Sequence, residues 1–205
     1  VGVTREEMGG SHFALTQGLS GGEVPKVDAT MAKATFAALY KAIDGGLVRA
    51  CHDLSEGGLA VAAAEMAFAG GCGAQLSLAH VPHAIEPDED SKQELARLAG
   101  SLPGEEIHPL ATYPAATAAL LFAESNTRFL CEVAEEDAGA FEAAMFGVPC
   151  ARVGEVTGAG KLEILGLAQS IADADSGQGC EIGQPIVIEA ELGELKQAWQ
   201  SPLDW

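Results

Sequence analysis

A strand ends and a helix begins within the stretch His52-Asp53-Leu54-Ser55-Glu56-Gly57-Gly58-Leu59. The apolar run Leu47 to Leu54, which is bounded by glycines, predicts a buried strand. Ser55 belongs to a residue type that caps helices, and the apolar spacing after it predicts a helix that ends at Gly70-Gly71. Ala74 to Leu78 predicts a second strand. Together these elements predict a βαβ-like unit.

The same stretch has the composition of an anion-binding turn. Free backbone N–H groups and the positive end of the helix dipole meet at a helix N-terminus, and glycine lets a phosphate oxygen approach the backbone. We predict that Gly57 and Gly58 supply these N–H groups; the alternative is that they only allow close packing. His52 and Asp53 are neighbours on a strand and point to opposite faces, so they do not form a catalytic pair. Asp53 alone is a candidate ligand for Mg²⁺ or a sugar hydroxyl, or else an acceptor for the following turn.

Two other polar segments are candidates for binding. Gly9-Gly10-Ser11 precedes a short apolar pattern and is a second possible phosphate loop, although it lacks the lysine of a P-loop. Glu124 and Ser125 follow the apolar run Ala115 to Ala123. Glu124 is a candidate to bind a ligand hydroxyl or ammonium group, and the alternative is a turn in which Ser125 bonds to its own backbone.

Metal-like spacing occurs at His80-x-x-His83. Pro82 lies between the two histidines, and no acidic or thiol ligand follows at a useful distance. The sequence therefore predicts no metal site there.

The rest of the chain interleaves helices and strands. Asp28 predicts the cap of a helix that ends at Gly45-Gly46, and the region 80–114, which contains five prolines, predicts a surface excursion. The pattern as a whole predicts an α/β (α+β) fold with a mixed β-sheet flanked by helices, in a single domain over residues 1–205. The apolar residues of the first helix predicted to face the core are Ala32, Phe36, Leu39, Tyr40 and Ile43. The other predicted elements are a helix at 91–99, strands at 128–133, 151–156, 161–165 and 186–188, helices at 135–146 and 192–199, and a linker at 172–183.

Composition limits the class of protein. Thirty acidic and eleven basic residues give a formal charge of −19, which disfavours nucleic acids and anionic membrane surfaces as partners. The five cysteines form no C-x-x-C pair, which predicts free thiols in a reducing compartment, with Cys51 and Cys131 in the core. We expect a cytoplasmic protein, because no apolar run is long enough to span a membrane and no signal peptide opens the sequence. A start at Val1 leads us to expect a piece of a longer chain.

Three segments, in this order, carry a resemblance to a known family. They are MGGSHFAL (8–15), CHDLSEGGLAVAAAEMAFAGGCGAQL (51–76) and LFAESNTRFLCEV (121–133). They resemble the C-terminal domain of the synthetase subunit of phosphoribosylformylglycinamidine synthase, small form, in the aminoimidazole ribonucleotide synthetase-like superfamily. The run Arg152 to Thr157 is similar to the family's strand that ends in G-x-V-T.

The resemblance implies an ATP-dependent ligase of purine biosynthesis, with ATP and Mg²⁺ as cofactors. Such an enzyme converts formylglycinamide ribonucleotide and glutamine-derived ammonia into formylglycinamidine ribonucleotide. The implied partners are upstream domains of the same chain, a separate glutaminase subunit and a small bridging subunit. The family's catalytic histidine and principal metal ligands would lie upstream of Val1, so this chain alone would be inactive.

The resemblance also places particular residues on loops that face a nucleotide cleft. The expected nucleotide- or phosphate-binding residues are Gly9, Gly10, Ser11, His52, Asp53, Ser55, Gly57 and Gly58, and the expected cleft-lining residues are Glu124 and Ser125. Two alternatives remain open from the sequence. One is another member of the superfamily, such as a selenophosphate synthetase or thiamine-monophosphate kinase, and the other is a non-catalytic scaffold or dimerisation domain.

Overall fold

The computed structural model describes residues 1–101, 107–167, 169–171 and 181–203. Helices and strands alternate along the chain and are numbered here in chain order. The helices are α1 (His12–Thr16), α2 (Ala29–Asp44), α3 (Gly58–Gly70), α4 (Glu89–Ser101), α5 (Ala116–Phe122), α6 (Ala138–Ala144) and α7 (Leu192–Gln200). The strands are β1 (Ala50–Asp53), β2 (Gly73–Ser77), β3 (Phe129–Glu132), β4 (Gly154–Thr157), β5 (Lys161–Leu165), β6 (Gln169–Ile171), β7 (Glu181–Gly183) and β8 (Ile186–Glu191).

A four-stranded sheet has the order β4-β2-β5-β8. Its central strands β2 and β5 are parallel, and the two outer pairs are antiparallel, so the sheet is mixed as predicted. Strands β1 and β3 form a separate antiparallel pair, and β6 pairs with β7. The predicted βαβ-like unit is therefore wrong, because β1 and β2 flank α3 in sequence but belong to different sheets.

Helix α3 contacts both β1 and strands of the four-stranded sheet. Leu59, Ala62 and Ala63 are buried in the main core, as their spacing predicts, and the helix ends at Gly71 in a left-handed conformation. Alanine dominates α3, so neighbouring elements approach it closely. A helix that is apolar on all sides is typical of a position between two layers.

The helix capped by Asp28 is confirmed as α2, but its buried face differs from the prediction. Ala32 and Leu39 are buried as expected. Phe36, Tyr40 and Ile43 are exposed instead, with Tyr40 at 68%. Both stripes satisfy a helical period, and the smaller residues are the ones that fit against α6, because close helix packing favours short side chains.

Strand β1 is shorter and less buried than the sequence predicts. Cys51 and Asp53 are exposed, while Ala50 and His52 are partly buried. Cys131, on the partner strand, is also only partly buried. The prediction of a core position is therefore wrong for Cys51, because a two-stranded pair leaves part of each face uncovered, whereas Cys131 packs against the second core cluster without being fully buried.

The region 80–114 is only in part a surface excursion. The predicted helix at 91–99 lies within α4, which is on the surface. Val81, Ile85 and Leu110, however, are buried in the main core. The chain therefore returns to the core before and after α4. Residues 102–106 of this region and 172–180 of the predicted linker lie outside the described residues.

The other predicted helices and strands agree with the structure to within a few residues, but β6 was not predicted and β7 lies within the predicted linker 172–183. The helix predicted at 135–146 begins as a 3₁₀ turn, Glu135–Asp137, and continues as α6. The strand predicted at 151–156 begins only at Gly154. In the part of the chain that the structure describes, no helix combines the length and apolar character needed to cross a membrane.

Gly154 gives a test of the packing between β4 and β2. A Cβ atom at this position would overlap Gln75 O and would lie 2.8 Å from Leu76 Cα, both in the neighbouring strand. Gly154→Ala is expected to lower the free energy of unfolding by about 2 kcal/mol or more, because the backbone of β2 must move. Urea denaturation measures the loss. Gly158→Ala is the control, since nothing lies within 4 Å of its Cβ position; equal losses in the two variants would contradict the packing argument.

Candidate functional site

The carboxylate of Glu124 joins two glycine-containing segments. Its Oε1 atom accepts hydrogen bonds from the backbone N–H of Gly57 and from the backbone N–H of His12, both at 2.9 Å. His12 Nδ1 lies 3.1 Å from the same oxygen. Only 16% of the Glu124 side chain is exposed. One carboxylate oxygen thus holds the start of α1 against the turn that precedes α3.

The charge of Glu124 is stabilised by these donors. Burial by itself would raise the pKa of Glu124, but the hydrogen bonds from Gly57 and His12 outweigh it and hold the pKa below its ordinary value. A carboxylate near two helix N-termini also interacts favourably with their dipoles. Glu124 is therefore ionised at neutral pH.

Ser11 is the N-cap residue of α1. It is buried, its Oγ accepts a hydrogen bond from Ala14 N–H at 3.2 Å, and the hydroxyl donates to Met8 O at 2.8 Å. Both hydrogen-bonding functions of the hydroxyl are used inside the protein. Ser11 therefore fixes the shape of the loop.

The two glycines before Ser11 differ in their surroundings. Gly9 donates its N–H to Glu23 O at 2.7 Å, and a Cβ atom on Gly9 would lie 2.6 Å from Gly22 O. Gly10 is exposed, has a φ of +76° and has nothing within 4 Å of its Cβ position. Among the described residues, its N–H has no internal partner. Gly10 is thus the position of this loop that is open to a ligand.

Ser55 does not cap α3 as predicted. The residue before the helix is Gly57, which has a left-handed φ of +77° and no side chain to act as a cap. A hydrogen bond from the Ser55 side chain instead lowers the pKa of Asp53, whose carboxylate is 60% exposed. The sequence rule fails because Glu56 and Gly57 form a turn between the serine and the helix, closed by the hydrogen bond from Gly58 N–H to Ser55 O.

Gly57 and Gly58 do not present the free N–H groups predicted for them. Gly57 N–H donates to Glu124, and Gly58 N–H donates to Ser55 O at 3.2 Å. A Cβ atom on Gly58 would lie 2.7 Å from Ala123 O. The packing alternative is thus the one that the geometry favours for these two glycines.

Ser125 is a buried anchor for the N-terminal segment. Its Oγ accepts a hydrogen bond from Arg5 N–H at 3.1 Å and its hydroxyl donates to Arg5 O at 3.3 Å. With 3% exposure, it is reached by no ligand in this conformation. The turn alternative is wrong in one respect, because the bond is not to its own backbone but to a segment 120 residues away.

His52 contacts the backbone of Asp53, and the two side chains lie closer together than the predicted positions on opposite strand faces would allow. Its Nε2 lies 2.7 Å from Glu65 Oε2, and its Nδ1 lies 2.6 Å from the backbone oxygen of Asp53. The Asp53 carboxylate is 3.6 Å from Nδ1, which is too far for a hydrogen bond. Glu65 also accepts from Trp199 Nε1 at 2.8 Å. His52 therefore belongs to a cluster that links β1, α3 and α7.

Sequence reasoning missed two buried charged residues near the loops. Arg128 is 4% exposed, and its Nη1 donates to Ala123 O at 2.8 Å; burial lowers its pKa to about 10. Glu7 is equally buried, and one of its oxygens accepts from Lys26 N–H at 3.1 Å. Arg128 directly precedes the apolar run of β3, a place where a charged residue is ordinarily read as a surface position, and nothing around Glu7 in the sequence marks it as buried.

The described residues contain no group of three or more His, Cys, Asp or Glu side chains that could hold a metal ion. His83 lies beside His108, with ring centroids 5.7 Å apart, and burial lowers the pKa of His83. A cavity of about 630 Å³ is lined by residues such as Leu59, Leu76 and Cys131. It does not include Gly10, Gly57 or Glu124, so it is separate from the loops.

Comparison with known proteins identifies the family of this chain. A family model described as "AIR synthase related protein, C-terminal domain" matches residues 1–166. The chain belongs to this family. The matched region ends after β5, so β8 and α7 lie outside it.

Similar proteins share one description. Phosphoribosylformylglycinamidine synthase subunit PurL of Deinococcus radiodurans is 32% identical over 97% of this chain and 20% of its own length. The same subunit of Thermococcus gammatolerans is 48% identical over 40% of this chain and 12% of its own length. The chain thus spans about one fifth or less of these relatives.

Solved structures show the same fold. The crystal structure of phosphoribosylformylglycinamidine synthase II from Thermotoga maritima has a TM-score of 0.54 and 19% identity, covering 95% of this chain and 24% of that one. A structure of T. maritima PurL complexed with ATP gives a TM-score of 0.55 with the same identity and coverage. At this identity the likeness supports the fold, which agrees with the α/β class predicted from the sequence.

Glu124 allows a test of the contact between the loops. Glu124→Ala leaves the N–H groups of Gly57 and His12 without their acceptor and is expected to cost about 2 kcal/mol of unfolding free energy. Glu124→Gln keeps an acceptor oxygen and should lose less. Since the folded-state pKa is lowered, the ionic contribution is present above about pH 4.5 and is lost as the pH falls through the lowered pKa. Urea denaturation at pH 7 and pH 3 measures both effects; the argument fails if wild type and Glu124→Gln respond identically to pH.

His52 allows a test of the second cluster. Burial would lower the pKa of His52, but its hydrogen bonds to Asp53 O and Glu65 outweigh this and raise the pKa above 6.5. The stabilisation that these hydrogen bonds give to protonated His52 is fully present below about pH 6.5 and is lost as the pH rises through the raised pKa. Glu65→Gln should lower the pKa of His52, as measured by NMR titration of the imidazole. Glu56→Gln is the control, because it removes an exposed charge from the turn between β1 and α3 and leaves the hydrogen bond between His52 and Glu65 intact. An equal shift of the His52 pKa in both variants would refute the specific contact.

Proposed function

We propose that this chain is a domain of a phosphoribosylformylglycinamidine synthase, an ATP-dependent ligase of purine biosynthesis. The observation that carries the proposal is the meeting of three separate segments at one carboxylate. Glu124, in LFAESN, accepts hydrogen bonds from His12, in MGGSHFAL, and from Gly57, in HDLSEGGL. These are the segments that carry the family resemblance.

The relatives indicate the ligand class. Structures of T. maritima PurL are described as complexed with ADP, with ATP and with FGAR. For this chain we infer the same ligands, namely ATP and formylglycinamide ribonucleotide, whose phosphates suit a loop with an open backbone N–H. Glutamine-derived ammonia would be the second substrate and formylglycinamidine ribonucleotide the product.

We infer that the expected site residues divide into some that face a ligand and others that shape the loops. Gly10 and Asp53 are exposed and can contact a ligand directly, and Ser55 positions Asp53. His52 supports the turn through Glu65. The residues that act by fixing the loops are Gly9, Ser11, Gly57, Gly58, Glu124 and Ser125.

The described residues could hold Mg²⁺ only together with ligands from another domain. Asp53 is an exposed carboxylate and could supply one oxygen, but the described residues contain no complete metal-binding group. When bound, Mg²⁺ would neutralise phosphate charge. The other ligands, and the catalytic groups, would come from another domain, so the chain by itself is inactive under this proposal.

We also propose that residues 1–205 act as a single domain in a larger assembly. Strand β8 pairs with β5 and completes the sheet, which supports a unit that extends past residue 166. The partners would be upstream domains of the same chain, a glutaminase subunit and a small bridging subunit, in the cytoplasm. A T. maritima structure is described as PurLQS, which supports an assembly of this kind.

Gly10 and Gly18 provide a matched pair for testing the site. Both have a left-handed φ, +76° and +66°, and neither has an atom within 4 Å of its Cβ position. Gly10→Gln is expected to weaken binding of ATP·Mg²⁺ or of the substrate ribonucleotide at least about tenfold, because the side chain would occupy the space in front of the loop. Calorimetric titration of the complete protein that carries this chain gives the affinity.

Gly18→Gln introduces the same backbone strain outside the loop and should leave both affinities unchanged. If Gly10→Gln binds both ligands like the wild type, the loop does not face the cleft. If the wild type binds neither ligand, the proposed function itself is wrong.

A further inference from the structure

Two cysteine thiols face each other across the strand pair β1–β3. Cys51 and Cys131 are direct partners in the antiparallel register, and their sulfur atoms are 3.7 Å apart. Leu54 N–H donates to Arg128 O at 3.0 Å, which makes that pair a hydrogen-bonded one. Because such pairs alternate, Cys51 and Cys131 form a non-hydrogen-bonded pair, with Cα atoms expected about 4.5 Å apart. This separation lies within the range that a disulfide spans.

The surroundings of the pair allow oxidation. Cys51 is exposed to solvent, and Cys131 is partly buried directly behind it. The Cys131 thiol donates a hydrogen bond to the Cys51 sulfur. This hydrogen bond lowers the pKa of Cys51 to about 7 and raises the pKa of Cys131. Cys51 is thus the thiolate that reacts with an oxidant, and Cys131 is the thiol that then attacks the oxidised Cys51 sulfur.

We propose that Cys51 and Cys131 form a reversible disulfide when the protein meets a peroxide. The Cys51 thiolate attacks the O–O bond of hydrogen peroxide and becomes a sulfenic acid, while the released hydroxide takes up a proton to give water. The Cys131 sulfur then attacks the Cys51 sulfur. The S–S bond forms, and the hydroxyl group leaves with the thiol proton as a second water. In total, two thiols and one peroxide give one disulfide and two waters.

The bond would connect the two strands that carry the candidate site. The turn from Asp53 to Gly58 follows Cys51 directly, and Glu124 lies a few residues before Cys131. The cysteines are 80 residues apart, so the bond would close a long loop and restrict the unfolded chain. Oxidation therefore fixes the register on which the Glu124 contact depends. This inference rests on the strand pair and does not depend on the proposed function.

Two other cysteines serve as controls. Cys72 is exposed and follows α3, and Cys150 is partly buried and close enough to Cys131 to influence its pKa. Cys180 lies outside the described residues. Trypsin leaves two cysteines on each relevant peptide: 50–92 carries Cys51 and Cys72, and 129–152 carries Cys131 and Cys150.

The experiment treats the complete protein with a small excess of hydrogen peroxide, followed by alkylation, trypsin digestion and mass spectrometry without reduction. We expect a cross-link between peptides 50–92 and 129–152 that dithiothreitol removes. The cross-link should persist in Cys72→Ser and Cys150→Ser and disappear in Cys51→Ser and Cys131→Ser. The oxidised wild type should unfold about 5 °C or more above the reduced form, and the two pair variants should show no such shift.

Each other outcome overturns the proposal. A cross-link that survives Cys51→Ser or vanishes in Cys150→Ser would assign the bond to other cysteines. Oxidation of Cys51 to sulfinic or sulfonic acid without a cross-link would show that Cys131 does not reach it. Oxidation of Cys72 before Cys51 would show that the pair has no special reactivity. Since Cys51 is exposed, Cys51→Ser should fold normally, and thermal unfolding of the reduced variant verifies this.

Discussion

The arrangement of the loops depends on one carboxylate oxygen placed between two helix starts. Glu124 Oε1 receives N–H groups from the first residue of α1 and from the residue that precedes α3. Backbone donors at a helix start have no partner within the helix, and a buried one without a partner costs free energy. A single ionised side chain satisfies both donors and holds the segments in register.

This arrangement changes how a phosphate could be held. Gly57 packs against the side chain of Val61, Gly58 packs against the backbone of residues 121–123, and the N–H groups of both glycines are already used. The open donor is instead on Gly10, in the other loop, with the exposed carboxylate of Asp53 as a second polar group. The carboxylate of Glu124 holds the turn before α3 in shape, and a ligand would contact the outer surface of that turn. Both roles assigned to glycine, close packing and ligand access, are thus present but at different positions.

Strand pairing determines the rest of the site. Because β1 pairs with β3 and not with β2, the turn after β1 lies beside the segment before β3. The same pairing brings Cys51 opposite Cys131 and aligns His52 with Glu65 of α3. Helix α3, which is rich in alanine, lets this strand pair and the four-stranded sheet share one core. Packing, not local propensity, therefore positions the polar groups.

The sequence by itself determined the elements and the family. The Asp28 cap, the helix that ends at Gly70-Gly71 and the start of α1 at Ser11 follow from local hydrogen-bonding and conformational preferences of a few adjacent residues. Only the tertiary structure decided which face of α2 is buried, that Glu124 takes the N–H group of Gly57, and that Cys51 meets Cys131. The Glu124 and Cys131 contacts join residues 67 and 80 positions apart. Such pairings depend on how whole layers pack, and several packings satisfy the same local pattern, so no single stretch of sequence contains the information that selects one.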